Sequence, residues 1–284
     1  ERGGGISNIK LVNKSKELKS YYQLHVDFNT IDSMGANFIN SCLEIISENF
    51  KELLNDSSKF KESEKKIEII MSILSNYTPE CIVESSAECK IDDLGDVDGI
   101  TSKEFALKFK NAFDIANIDI SRAVTHNKGI MNGIDAVLIS TGNDFRAVEA
   151  GIHAFASSKG KYMSLSECSI IDNIFKIKLK IPLSIGTIGG ITDIHPMVKL
   201  SLKLLENPTS NKLMNIICSV GLAQNFAAVK SLVTSGIQKG HMKMHLINLL
   251  IKQNATKDQI NKSEEYFKDK DINSQSVKDF LDLN

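Results

Sequence analysis

Four polar clusters in this 284-residue chain carry residue types able to do chemistry, and apolar runs flank each of them. The first, Asp32-Ser-Met-Gly-Ala-Asn37, lies between an alternating apolar segment and a helical stripe. A glycine in such a turn lets backbone amides approach a phosphate at a helix N-terminus, although the same residues also suit an ordinary helix cap. The second gathers Arg122, His126, Asn127, Lys128, Gly129, Asn132, Gly133 and Asp135. A lysine beside glycine and two asparagines can stabilise a developing oxyanion, or it can sit in a solvated turn. The third is Gly142-Asn-Asp144 with Arg146 and Glu149. Asp144 can keep a partly buried ammonium such as Lys128 charged if the fold brings them together; otherwise it caps a helix. The fourth, Gly236-Ile-Gln-Lys-Gly-His241, sets a histidine beside glycines. That arrangement suits a proton donor carried on a hinge, or a structural histidine. Cys42, Cys81, Cys89, Cys168 and Cys218 form no CxxC pair and have no histidine at useful spacing. A disulfide framework, a zinc knuckle and a thiol nucleophile are therefore unexpected, and no metal site is predicted.

The elements that must position these clusters follow from periodicity. In residues 20–28, Tyr22, Leu24, Val26 and Phe28 alternate with Gln23, His25 and Asp27, which predicts a strand with one wet face. Apolar residues at three- and four-residue spacing predict a helix over 37–54, and the Ile-rich segment 67–74 predicts a second strand beside the first. Pro79 and the acidic stretch to Asp98 mark a domain change, with a helix over 102–116 after it. The short apolar run 136–140 reads as a buried strand, so the Lys128 cluster is expected in a loop before it. Period-two alternation predicts a strand over 175–181 with Lys176, Lys178 and Lys180 facing water. The glycine-rich segment 186–190 is expected to be irregular, and helices are expected over 197–205, 212–234 and 242–252, with a break at 236–240. Thr256 and Gln259 have capping-box spacing for a last helical segment.

Hydrophobic residues at 42% and charged residues at 24% exclude a disordered, solvating chain. The 34 basic and 35 acidic residues leave a net charge of −1, no excess field for nucleic acid or an anionic bilayer, so neither partner is expected. Apolar runs such as 245–251, broken by Asn248, fall short of the roughly 20 residues of a membrane span. These features predict a soluble protein of the reducing cytoplasm. The chain starts with Glu1 rather than Met, and the true N-terminus is expected upstream.

Seven segments taken in order are similar to one family: Glu1-Arg-Gly-Gly-Gly5, Asp32-Ser-Met-Gly-Ala-Asn37, Thr125-His-Asn-Lys-Gly-Ile-Met-Asn-Gly-Ile-Asp135, Thr141-Gly-Asn-Asp144 with Arg146-Ala-Val-Glu-Ala-Gly151, Gly186-Thr-Ile-Gly-Gly190 with His195-Pro196, Gly221-Leu-Ala-Gln-Asn225, and Gly236-Ile-Gln-Lys-Gly-His241. The chain resembles the 3-hydroxy-3-methylglutaryl-coenzyme A (HMG-CoA) reductases of the class II, bacterial and archaeal type. The resemblance implies an α+β fold. It divides the chain into a small ferredoxin-like NAD(P)-binding domain at 1–79, a mostly helical large domain for substrate binding and dimerisation at 80–235, and a C-terminal helical flap at 236–284. It further implies reduction of HMG-CoA to mevalonate and coenzyme A by two hydride transfers from NADPH or NADH, or the reverse oxidation, in a cytoplasmic homodimer. By the same resemblance Lys128 stabilises the oxyanion of the tetrahedral intermediate, Asp144 keeps that lysine charged and placed, and His241 protonates the departing thiolate. Asp32, Met34, Gly35, Ala36 and Asn37 match the cofactor loop, with Asn76 a second contact, and Arg122 and Asn132 match positions that bind the acyl group. The family's catalytic glutamate lies upstream of the Arg-Gly-Gly-Gly motif, where this sequence starts, and neither Glu84 nor Glu88 inherits its role. Ser33 replaces a common alanine. The alternative is a noncatalytic CoA- or nucleotide-binding relative that lost that glutamate.

Overall fold

Phe105, Phe109 and Phe113 recur every four residues, so they line one face of a helix, α2 (Ser102–Ile118), and all three are buried. The computed structural model describes residues 3–234, 236–268 and 270–283, and the side chains of residues 237–241 and 243 lie outside that description. The phenylalanine face meets Phe175 of β5 (Ile174–Pro182) and Phe226 of α6 (Ser210–Val233), with ring centroids 5.3 and 5.1 Å from Phe109. Around these rings α3 (Ile120–Ser140), α4 (Phe145–Ala156), β3 (Ile82–Lys90) and β4 (Ser166–Ile171) complete the main core.

The sheet runs β3-β5-β4, antiparallel throughout. Phe175, Ile177, Leu179 and Ile181 of β5 point into the core, while Lys176 and Lys178 pair with Glu88 and Glu84 of β3 at 2.8 Å on the wet face. The alternation seen in the sequence is thus the real one. β3 itself lies where composition suggested only an acidic domain boundary: its single apolar pair, Ile82-Val83, is too short a signal to reveal a strand.

Two expectations are overturned. Residues 136–140 are the last turns of α3 and not a strand, so Lys128 lies within a helix instead of a loop. Buried Ala123, Ile130, Ile134 and Leu138 keep a helical spacing through the whole segment, and Asp119 caps it by accepting from the amides of Ser121 and Arg122. A four-residue apolar run is compatible with either element, and here the longer period decides. Residues 67–74 form no strand among the described residues. They lie along α1 (Ala36–Asp56) through side chains instead: the Leu74 amide donates to Asn40 Oδ1 at 2.9 Å, and the hydroxyls of Ser47 and Ser72 are 2.6 Å apart.

The ladder before α1 joins β2 (Tyr22–Asn29) to an unforeseen partner, β1 (Gly5–Asn13), in antiparallel register. No α1 residue is buried, and Phe38 and Leu53 are 67% and 71% exposed. After β5 comes an irregular stretch, then α5 (Pro196–Leu204), opened by His195-Pro196. By length and composition α6 is the one described helix apolar enough to cross a membrane, which revises the reading that no segment approaches that length. Its Leu213, Ile217, Leu222 and Val229 are buried in the main core, so it serves as a core helix. The break expected at 236–240 narrows to Gly236, at φ +83°, and α7 (Ile237–Lys252) begins directly after it. With α8 (Lys257–Tyr266) and α9 (Ser274–Leu283), α7 builds a second cluster around Leu246, Leu250, Phe267, Val277 and Phe280. Thr256 and Gln259 form the expected capping box.

Candidate functional site

The 32–37 turn is tied to the body of the protein by its backbone. Asp32 O accepts the amides of Thr187 and Ile188 at 2.8 and 3.2 Å, and Asp32 Oδ1 accepts the Ser210 amide at the start of α6 at 2.7 Å. The Ser210 hydroxyl donates to Ile31 O at 2.8 Å. These bonds hold Ile31 at φ +54°, a conformation that costs a β-branched residue energy and persists where surrounding contacts over-determine it. Asp32 therefore anchors the turn on α6 rather than capping α1. The N-cap of α1 is Gly35, at φ +73° with no side-chain bond, so the first amides of a 21-residue helix are free to face an anion beside Met34, Ala36 and Asn37. Gly186 is what lets the turn dock: a Cβ there would stand 2.5 Å from Met34 N. The Gly186 amide donates to Asn143 Oδ1 at 2.9 Å, which brings the Asp144 turn to the same place.

Asp144 is the N-cap of α4, accepting from the amides of Arg146 and Ala147, and it pairs with the Arg146 guanidinium at 3.2 Å. Burial alone would raise its pKa, but the Arg146 side chain and the two amides outweigh it and hold the carboxyl below the usual range. Two turns along α4, Gly151 gives passage to the Asn76 carbonyl, which lies 2.6 Å from where a Cβ would be. Asn76 thus sits on the helix that Asp144 starts.

On α3, Lys128, Asn132 and Asp135 share one face by their spacing of four and three residues. Lys128 and Asn132 are exposed, and Lys128 makes no hydrogen bond or ion pair among the described residues. What aims it outward is the residue pair before it. His126 is buried, with Nε2 at 2.7 Å from Ser166 Oγ and 3.2 Å from Asn225 Nδ2, while Asn127 donates to Met163 O and accepts the Leu165 amide. Burial, aided by the half-buried Arg122, lowers the His126 pKa to about 4, and its Nδ1 has no partner among the described residues. This neutral imidazole locks the rotation of α3. Arg122, itself lowered by burial, lies on the His126 side of the helix and not on the Lys128 face. Asp135 is raised to about 7 by burial and by the nearby carboxylate of Glu149 of α4.

Within one chain Lys128 and Asp144 do not meet. The Asn143 amide donates to Leu138 O, so Asp144 is level with the last turns of α3, roughly 15 Å of helix rise from Lys128. The His241 side chain, the remaining predicted acid, lies outside the described residues. Burial raises the thiols of Cys81, Cys168 and Cys218, the last two to about 12, which makes them poor nucleophiles. Among the described residues no group of three or more metal-ligating side chains is gathered.

Against known proteins, residues 1–246 match the profile of the hydroxymethylglutaryl-coenzyme A reductase family. The chain belongs to that family. It is 35% identical over 261 residues to the 3-hydroxy-3-methylglutaryl-coenzyme A reductase of Archaeoglobus fulgidus, covering 92% of this chain and 56% of that one. A probable HMG-CoA reductase of Borreliella burgdorferi is 36% identical over 252 residues, 88% of this chain and 55% of its own. The chain thus spans just over half the length of these curated relatives. Among solved structures, the Streptococcus pneumoniae HMG-CoA reductase superimposes with a TM-score of 0.71 at 36% identity, over 99% of this chain and 65% of that one. The class II enzyme of the same organism, bound to NADPH in open conformations, gives 0.70 at 35%, over 99% and 66%. The α+β architecture is the one these reductases share.

Sequence reasoning on this reductase-family chain singled out the 32–37, 128–135 and 141–144 clusters but not the contacts that join them: Asn143 as a bridge, Gly151 as a passage, and Ser210, itself unnoticed, as the partner of Asp32. Their partners lie 43 to 178 residues away, and single-chain spacing holds no signal for that.

Proposed function

We propose that the native polypeptide carrying this chain is an HMG-CoA reductase that forms mevalonate and coenzyme A with NADPH or NADH, or runs the reverse oxidation. What carries the reading is one observation: the 32–37 turn, with its open helix N-terminus, is packed through Gly186 onto the turn of Asn143 and Asp144. The residues fit a nicotinamide cofactor. The amides at Gly35, Ala36 and Asn37 would hold its phosphates, with Met34 packed at Gly186 and Asn76 at Gly151 of α4. When bound, that cofactor supplies the hydride.

The chain's own groups handle charge and protons. Lys128, exposed and unpaired among the described residues, receives the oxyanion that develops on the acyl oxygen, and Asn132, one turn on along the same face, orients the acyl group. Asp144, ionised beside Arg146, is the carboxylate that keeps such a lysine charged and placed. Since roughly 15 Å of helix separates them in one chain, the reading requires Lys128 of one copy to meet Asp144 of a second, in a homodimer. His241, the fifth residue of α7 after the Gly236 N-cap, protonates the departing thiolate. Residues 1–79 then form the cofactor domain, 80–235 the substrate and dimer domain, and 236–284 the flap, in a cytoplasmic enzyme.

The test is HMG-CoA-dependent oxidation of NADPH and NADH by the native polypeptide. Turnover with release of coenzyme A is expected; binding of coenzyme A without turnover would contradict the reading.

A further inference from the structure

We propose that Asn143 is a positioning residue that couples the cofactor turn at 32–37 to the turn carrying Asp144, an inference that rests on the reductase reading above. The Thr141 hydroxyl donates to Val137 O at 2.7 Å, at the end of α3. Asn143 Nδ2 donates to that same hydroxyl at 3.1 Å, which leaves Asn143 Oδ1 to accept the Gly186 amide at 2.9 Å. The carboxamide is thus held at both ends, one on the α3 terminus and the other on a loop more than 40 residues away. Beyond Gly186 the contact becomes steric. A Cβ at Gly186 would stand 2.5 Å from Met34 N and 3.1 Å from Asp32 O, and the next two amides, of Thr187 and Ile188, both donate to Asp32 O. Three segments far apart in sequence are therefore joined, with Asn143 Oδ1 the polar side-chain atom that ties the α3–α4 turn to the Gly186 loop, beside the packing of Ile191 on Gly142. Asp144 follows Asn143 directly and is fixed by the α4 amides it caps.

Hydride transfer needs the donor carbon within contact distance of the acyl carbon while the charged groups stay on its oxygen, and displacements of about 1 Å are costly. In this arrangement Asn143 fixes the distance between the element that holds the donor and the carboxylate that serves the lysine. The side chain itself need not touch either ligand.

The experiment compares wild type, Asn143→Leu and Asn143→Asp in the native polypeptide. Leucine has nearly the same size but offers no acceptor to the Gly186 amide. It should raise the KM for NADPH and lower kcat, each by about tenfold, while the KM for HMG-CoA stays within about twofold. Aspartate keeps the acceptor, and its NADPH KM should lie closer to wild type than to Asn143→Leu. Hydrogen exchange gives a readout independent of turnover: Asn143→Leu should speed exchange in peptides covering 29–38 and 183–192 and leave β3 and β5 unchanged. Unaltered NADPH kinetics and exchange in Asn143→Leu would overturn the coupling, as would a uniform rise in both KM values with faster exchange everywhere, the mark of a merely structural residue. A wild type inactive on HMG-CoA overturns the reductase reading instead, and the exchange data still decide the coupling.

Discussion

His126 and Asp135 sit on one helix and are held in opposite ways against the charge each carries in water. Burial lowers the His126 pKa from 6.5 to about 4, so the unfolded chain binds its proton first, and the stability this group contributes is lost as pH falls from 6.5 to 4. Asp135 is raised from 3.8 to about 7 by burial and by Glu149, so its contribution is full below 3.8 and lost as pH rises to about 7. Between pH 4 and 6.5 the two slopes oppose each other. Relative to wild type, Asp135→Asn should make the melting temperature rise more steeply with pH across this range, and His126→Asn should make it fall. Melting curves across the range check this, and parallel pH dependences in all three proteins would refute it. Lys128→Ala should leave the melting temperature within about 2 °C of wild type, because an exposed, unpaired side chain stabilises little, yet abolish turnover; circular dichroism and the reductase assay read the two parts. Lys128 and Asp144 were singled out from residue type and motif. The packing of His126 and Asn127 was not, because Ser166 and Asn225 reach the first, and Met163 and Leu165 the second, from elsewhere in the chain.

At the scale of elements, helices with long periodic faces and β5 with its strict alternation were readable, since each repeats one burial rule over many residues. The errors fell on short runs: 136–140 and 67–74 each offered a few apolar residues, and the longer helical period of α3 decided the one while contacts with α1 decided the other. β1 escaped notice because it needs β2 beside it to be a strand. Two element-level expectations follow. Gly151→Ala puts a methyl group where the Asn76 carbonyl lies and must push residue 76 off α4, so the KM for NADPH should rise several-fold with little change in the KM for HMG-CoA. Steady-state kinetics with each substrate varied checks it. Thr256→Ala breaks the capping box of α8 and should cost about 1 kcal/mol, measured by denaturant unfolding, with the main core unaffected.

At the scale of the molecule, the proposed reading has one chain hold the parts of a reductase site without joining them. α3 carries Lys128 and Asn132 on an exposed face, and the opposite end of the same helix leads into Asp144, docked to the cofactor turn. In the proposed homodimer a two-fold pair of chains would bring one copy's α3 face to the other copy's Asp144 and give two equivalent sites, closure by symmetry completing what the single fold leaves apart. The exposed apolar residues of α3, Val124 and Ile139 among them, are the kind of surface such a pairing covers. The most direct measurement mixes two inactive variants of the native polypeptide, Lys128→Ala and Asp144→Ala, after dissociating and reassociating their subunits, and assays HMG-CoA-dependent oxidation of NADPH. Half of the random pairs are mixed and each mixed pair keeps one intact site, so activity should return to about a quarter of wild type. If the mixture remains as inactive as either variant while reassociated wild type turns over, the lysine and the aspartate do not meet across two copies and the proposed site is wrong.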